Sequence, residues 1–194
     1  MSKSYKCVVV GDACVGKTCM VMRITGRELD EKYIPTIVEN AEYRFQHRGE
    51  TRILNIWDTA GQEDYRNLRT KSYSSVDVFL LCFSLVDRDS FENLSSVWLP
   101  ELRSYEKDAI VLLVGTKHDL CREDGSRSAA VSRAKIDELC GSHGSLKYVE
   151  CSALKNYGIK EVVEQTLDLI FGVQEVSKAP SGRSRRSGKR CDIL

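Results

Sequence analysis

Tyr5-Lys6-Cys7-Val8-Val9-Val10 runs directly into Gly11-Asp12-Ala13-Cys14-Val15-Gly16-Lys17-Thr18. The first six residues are mostly apolar and β-branched, which reads as a buried strand. The next eight fit G-x-x-x-x-G-K-[ST], with a helix expected to open near Lys17. Backbone N–H groups of such a loop turn inward, and the positive end of the following helix faces the same point, so together they cradle phosphate. Lys17 is placed to reach β- and γ-phosphates, and the Thr18 hydroxyl to bind Mg2+. Gly11, Ala13, Cys14, Val15, Gly16 and Cys19 would form the rest of the cradle.

Beyond the loop, strand and helix patterns alternate. Ala41–His47 and Thr51–Trp57 alternate apolar and polar residues around Arg48-Gly49-Glu50, predicting an antiparallel hairpin. Val78–Phe83 and Ala109–Val114 are almost continuously apolar, as strands buried on both faces are. Lys147–Glu150 reads as a short last strand, and helices are expected near Ser90–Lys107, Val131–His143 and Gly158–Phe171. Asp89 with Glu92 predicts a capping box at the first of these. The expected architecture is α/β: a three-layer sandwich around a six-stranded, mostly parallel sheet.

The chain has 194 residues, 42% hydrophobic and 29% charged, which suits one globular domain and excludes wholesale disorder. Its net charge of +1 hides an asymmetry. From Ser177 onward there are six basic residues and one acidic, leaving 23 basic against 27 acidic in the body. Residues 1–176 are therefore expected to form the domain and 177–194 a flexible polybasic tail. The eight cysteines form no C-x-x-C pair and have no histidine at ligand spacing, which predicts reduced thiols, a cytoplasmic setting and no structural zinc.

Two further motifs follow strand ends. Asp58-Thr59-Ala60-Gly61-Gln62 places an acid where it can hold Mg2+. Gly61 can offer its N–H to a γ-phosphate, and Gln62 can orient the attacking water. Thr116-Lys117-His118-Asp119 places a carboxylate that can accept from guanine N1 and N2, a donor pair adenine lacks. Cys151-Ser152-Ala153-Leu154 follows the next strand, where its backbone can reach guanine O6.

These four elements, in this order, resemble the small GTPases of the Ras superfamily. The strings Tyr33-Ile34-Pro35-Thr36, Trp57–Tyr65, Cys82–Val86, Ser90–Asn93, Val114–Lys117 and Glu150–Leu154 are most similar to the Rho/Rac branch. The resemblance covers about residues 4–171 and the terminus. It implies a P-loop fold, GTP/GDP and Mg2+ as ligands, and GTP hydrolysis in a molecular switch that signals, in this branch, to the actin cytoskeleton. It also implies that Thr36 ligates Mg2+ and senses the γ-phosphate, that Tyr33 and Leu29 flank the nucleotide, and that Tyr65–Leu68 lie in switch II. Trp57 is the Rac-like choice at a position that discriminates exchange factors. The implied partners are exchange factors, GTPase-activating proteins, a dissociation inhibitor and effectors, with a monomeric switch and no nucleic acid.

Cys191-Asp192-Ile193-Leu194 has the C-a-a-X form whose final Leu favours geranylgeranylation of Cys191. With the basic residues upstream, this predicts peripheral attachment to an anionic cytosolic membrane face, plasma membrane or endomembrane. Four departures from the family pattern bear on function. Ala13 replaces a glycine, and Leu29 replaces an aromatic on the guanine edge. Val38 and Ala41 replace aromatics facing effectors, which predicts weak CRIB-type binding. The Asp119–Ser152 segment is short, so the branch's insert helix is reduced, with Leu120–Ser132 its candidate remnant. Ala13 and Leu29 together bias the expected cycle toward the GTP state. The alternative is a GTP-bound scaffold with vestigial hydrolysis.

Overall fold

The computed structural model describes residues 3–29, 37–121, 131–144 and 146–178, with side chains described as far as residue 172. Six strands form one sheet: β1 (Ser4–Val10), β2 (Val38–His47), β3 (Glu50–Thr59), β4 (Val78–Ser84), β5 (Val111–Thr116) and β6 (Lys147–Glu150). Their order is β2-β3-β1-β4-β5-β6. Only β2 and β3 pair antiparallel; every other neighbour is parallel. The hairpin turn at Arg48 and Gly49 has positive φ at both residues, the twist that a two-residue connection between strands requires.

Helices cover both faces: α1 (Lys17–Ile24), α2 (Arg66–Arg69), α3 (Arg88–Asn93), α4 (Leu99–Tyr105), α5 (Arg133–Ser142) and α6 (Ile159–Lys178). Alternation along each strand divides the core. Cys7 and Val9 of β1 face one cluster with Met20, Val21, Val162 and Ile170, while Val8 and Val10 face another with Leu94, Trp98, Leu102 and Ile136. Each such side chain contributes roughly 1.5–3 kcal/mol when buried. Because β1 is central and buried on both faces, the loop leaving it rests on a rigid base.

Three features differ from the sequence expectations. The helix start near Ser90 is capped by Asp87, not Asp89: its Oδ1 accepts from the backbone N–H groups of Asp89 (3.1 Å) and Ser90 (3.3 Å). Asp89 instead occupies the first turn, where an acid complements the helix dipole. The expected continuous helix over Ser90–Lys107 is interrupted by a π turn, Leu94–Trp98, between α3 and α4. Finally, α6, expected to end near Phe171, continues to Lys178. Residues 122–130, most of the expected insert remnant, lie outside the described residues, as do 179–194.

Replacing Asp87 with alanine removes the acceptor for two N–H groups and should cost about 1 kcal/mol. Thermal unfolding should register this as a Tm roughly 2–4 °C lower. An unchanged Tm would mean that another group caps α3.

Candidate nucleotide site

Gly11, at the end of β1, has φ +136°, and a Cβ there would lie 2.1 Å from the carbonyl oxygen of Cys82 on β4. Only glycine lets the chain leave the sheet at that point. Gly16, at φ +103°, then turns the chain into α1. Val15 packs into the core, whereas Ala13, Cys14 and Cys19 are exposed. Thr116 Oγ1 sits within hydrogen-bond reach of the Val15 and Phe83 carbonyls, tying the loop to the sheet. This holds Thr116, an expected nucleotide contact, against the loop.

Lys17 is buried, and its Nζ donates to the carbonyls of Gly11 (2.8 Å) and Asp12 (2.6 Å). Burial lowers its pKa, while Cys82, Asp58 and Asp12 act in the opposite sense. Thr18 Oγ1 donates to Asp58 Oδ2 at 2.6 Å, so the hydroxyl from α1 and the carboxylate from β3 meet beside the loop. Gly61 closes against it. A Cβ on Gly61 would lie 2.3–2.4 Å from the Asp12 carbonyl carbon, the Ala13 nitrogen and the Gly11 oxygen. The turn after β3 therefore rests on the loop's own backbone. Gln62 follows with its side chain exposed.

On the other side, Lys117 adopts the left-handed conformation (φ 58°, ψ 36°) and turns the chain so that Asp119 follows on a single 3-10 turn, His118–Leu120. Asp119 Oδ1 accepts a short hydrogen bond from Ser152 Oγ, which in turn accepts from Lys155 N–H at 3.0 Å. Ser152 and Tyr157 exchange both backbone hydrogen bonds, at 2.9 and 3.0 Å, and so close the loop carrying Ala153 and Leu154. Arg23 Nε of α1 donates to the Ala153 carbonyl at 2.8 Å, joining this loop to the phosphate side. Leu154 points outward at 64% exposure, while Leu29 is half-buried. Tyr33 and Thr36 lie outside the described residues, as does Cys191.

The sequence reading missed a set of side chains behind the loop. Asp12 accepts from Trp98 Nε1 at 2.6 Å and from Asn93 Nδ2 at 2.7 Å. Arg69 and Glu101 form a buried two-pronged ion pair at 3.1 and 2.9 Å, and Tyr73 adds its hydroxyl to Glu101 at 2.7 Å. Burial acts to lower the Arg69 pKa, but Glu101 and Tyr73 together reverse this and hold it above the usual value. A charge between Leu99 and Leu102 was the available signal, since a buried acid calls for a partner.

The glycine-rich loop after β1, Asp58 near the end of β3, Gly61 against the loop and Asp119 after β5 all follow the carboxyl ends of strands in one mostly parallel sheet, which defines a P-loop nucleotide-binding protein. A family model described as the Ras family matches residues 6–171. The chain belongs to that family, the small GTPases. It is 44% identical over 177 residues, 91% of this chain and 81% of the relative, to Ras-like GTP-binding protein RHO1 of Entamoeba histolytica. Members of the family bind GTP and GDP, hydrolyse GTP, and work with exchange factors, activating proteins and effectors.

Proposed function

We propose that this chain is a Mg2+-dependent Rho-type switch, held on an anionic membrane by prenylated Cys191, whose cycle is weighted toward the GTP-bound form. The observation that carries the weighting is the seat of Gly61 against Asp12 and Ala13. It brings the turn holding Gln62 onto the loop at the residue where a methyl replaces hydrogen.

The donors near the loop suit Mg2+. They are hard oxygens, one hydroxyl and one carboxylate, the kind of ligand Mg2+ takes. Among the described residues no group of three or more His, Cys, Asp or Glu side chains is placed to hold a metal. Thr18 and Asp58, with Thr36, would hold the ion, which supplies positive charge to the β- and γ-phosphate oxygens. Lys17 adds its own positive charge there. Gly61 N–H donates to the γ-phosphate, and Gln62 orients the water that attacks it. GTP and water yield GDP and phosphate.

Ala13 places its methyl where Gln62 and an activator's arginine must crowd the γ-phosphate. That arginine is worth about 10³–10⁵ in rate, so hindering it outweighs small changes in intrinsic hydrolysis. Leu29 forgoes an aromatic edge contact worth about 0.5–1.5 kcal/mol, so GDP release should be roughly two- to tenfold faster. The reversions separate the two effects. Ala13→Gly should raise activator-stimulated hydrolysis, and Leu29→Phe should slow GDP release. If neither rate moves, the cycle is an ordinary one and the proposal fails. The competing scaffold, in which hydrolysis is vestigial, predicts no stimulated turnover in either protein.

Attachment and output extend the same proposal. Cys191→Ser should release the protein from membranes in fractionated cells, because basic residues near an anionic leaflet contribute only about 1 kcal/mol each. Retention of Cys191→Ser on membranes would refute prenylation. At the effector edge, Ala41 lies on the buried face of β2, paired with Ile56, and Val38 is half-buried beside Thr59. Neither offers the ring that CRIB-type effectors would stack on, so signalling to the cytoskeleton would run through other effectors.

A further inference from the structure

The buried ion pair of Arg69 and Glu101 is unexplained by stability alone, since well-packed apolar residues of similar volume usually serve as well. Its remaining contacts suggest a purpose. Arg69 Nη1 donates to the Ala60 carbonyl at 3.1 Å and to the Gln62 carbonyl at 3.2 Å, the two carbonyls that bracket Gly61 and Gln62. In a planar trans peptide the C=O and N–H point in opposite directions. Holding the Ala60 carbonyl on Arg69 therefore turns the Gly61 N–H away from the guanidinium, and Gly61 itself abuts the loop.

The guanidinium also lies over the Trp98 ring, 4.6 Å from its centroid. The same indole donates to Asp12 in the loop. One rigid ring thus spaces the switch II backbone from the phosphate loop. The π turn Leu94–Trp98 makes this possible. Five residues of α-helix would turn Asn93 and Trp98 roughly 140° apart. An i→i+5 turn brings them nearly into line, and both then reach Asp12.

We propose that Arg69, fixed by Glu101 and Trp98, is a positioning residue for hydrolysis: it orients the Gly61 N–H and the Gln62 main chain relative to the phosphate loop. This rests on the hydrolytic role of Gln62 proposed above. The test uses the full-length protein in Mg2+ buffer and compares the parent with Arg69→Lys and with the paired change Arg69→Met and Glu101→Leu. Lysine keeps a charge but loses the fork that spans Glu101 and the carbonyls. The paired change leaves no unpaired buried charge, though Tyr73 and two carbonyls lose a partner, so its Tm should fall far less than that of a variant lacking Glu101 alone.

Three measurements decide the matter: single-turnover GTP hydrolysis, GDP release, and hydrogen exchange across residues 60–66 of the GDP-bound protein. Both variants should hydrolyse about tenfold to a hundredfold more slowly, while GDP release changes by less than about threefold. Exchange across 60–66 should rise while that of β1 does not. A paired variant that retains the parent's hydrolysis rate and its protection at 60–66 overturns the proposal. So does an equal loss of nucleotide retention and hydrolysis, the signature of general damage. A parent that fails to hydrolyse GTP would refute the activity, and the exchange measurement would still decide the positioning role: raised exchange supports it and unchanged exchange refutes it.

Discussion

Replacing Glu101 with alanine should lower stability by about 3–5 kcal/mol, because it strands a charge in the core. Arg69 has no exposed surface and Glu101 is only 4% exposed, so water cannot readily replace the lost partner. Arg69 would keep two carbonyls, the Trp98 ring and a long 3.8 Å pairing with Glu63, whose side chain is 68% exposed and screened by water, so the buried carboxylate is not replaced. Tyr73 would lose its acceptor at the same time, and Arg66 Nε its 3.1 Å contact with Glu101. For a domain of this size the Tm should fall by about 6–20 °C. Calorimetry at fixed, saturating GDP is the appropriate measurement, since bound nucleotide itself raises Tm by mass action. A fall of less than about 2 °C would show that the pair contributes little and that the core relaxes around Arg69.

Asp119→Asn should change which base the protein accepts. A carboxylate can receive two donors from guanine, whereas an amide offers one oxygen and confronts the second donor with its own N–H. Losing a charge-assisted hydrogen bond costs about 1.5–3 kcal/mol, roughly tenfold to a hundredfold in GDP affinity. Xanthine carries an oxygen where guanine carries its amino group, so the amide should favour XDP. The Ser152 hydroxyl can still donate to an asparagine oxygen, so the loop around residue 152 should hold its shape. Parallel titrations with GDP and XDP are the check, and equal GDP affinity in the two proteins would remove Asp119 from the base site.

The fold was legible where periodicity carries the signal. β4 and β5 are apolar on both faces, and every residue of each is buried. The hairpin showed in the alternation of apolar and polar residues on either side of Arg48-Gly49, and the phosphate loop in a motif whose two glycines meet backbone demands visible in the structure. What was not legible depends on partners distant in sequence. Asp87 and Asp89 both suit a cap, and the choice falls on whichever reaches the first-turn N–H groups as the chain leaves β4. The π turn has no composition of its own; it follows from the fit of Asn93 and Trp98 to Asp12, more than 80 positions away. Glu101 signals burial only by its place between Leu99 and Leu102, and its partner Arg69 looks like an ordinary surface charge until α2 is brought against α4. Local pattern specifies the layers, whereas the polar contacts between layers are set by how the elements dock.

The hydrogen bond from Arg23 to Ala153 joins residues 130 positions apart. In ribosomal synthesis the phosphate loop emerges early and the base loop late, so at 5–20 residues per second about 6–26 s separate them. Throughout that interval β1 has its loop but lacks β6 and α6, and the cluster holding Met20 and Val21 stays open on the side that Val162 and Ile170 later fill. The two halves of the site can therefore meet only after residue 153 has emerged, late in synthesis.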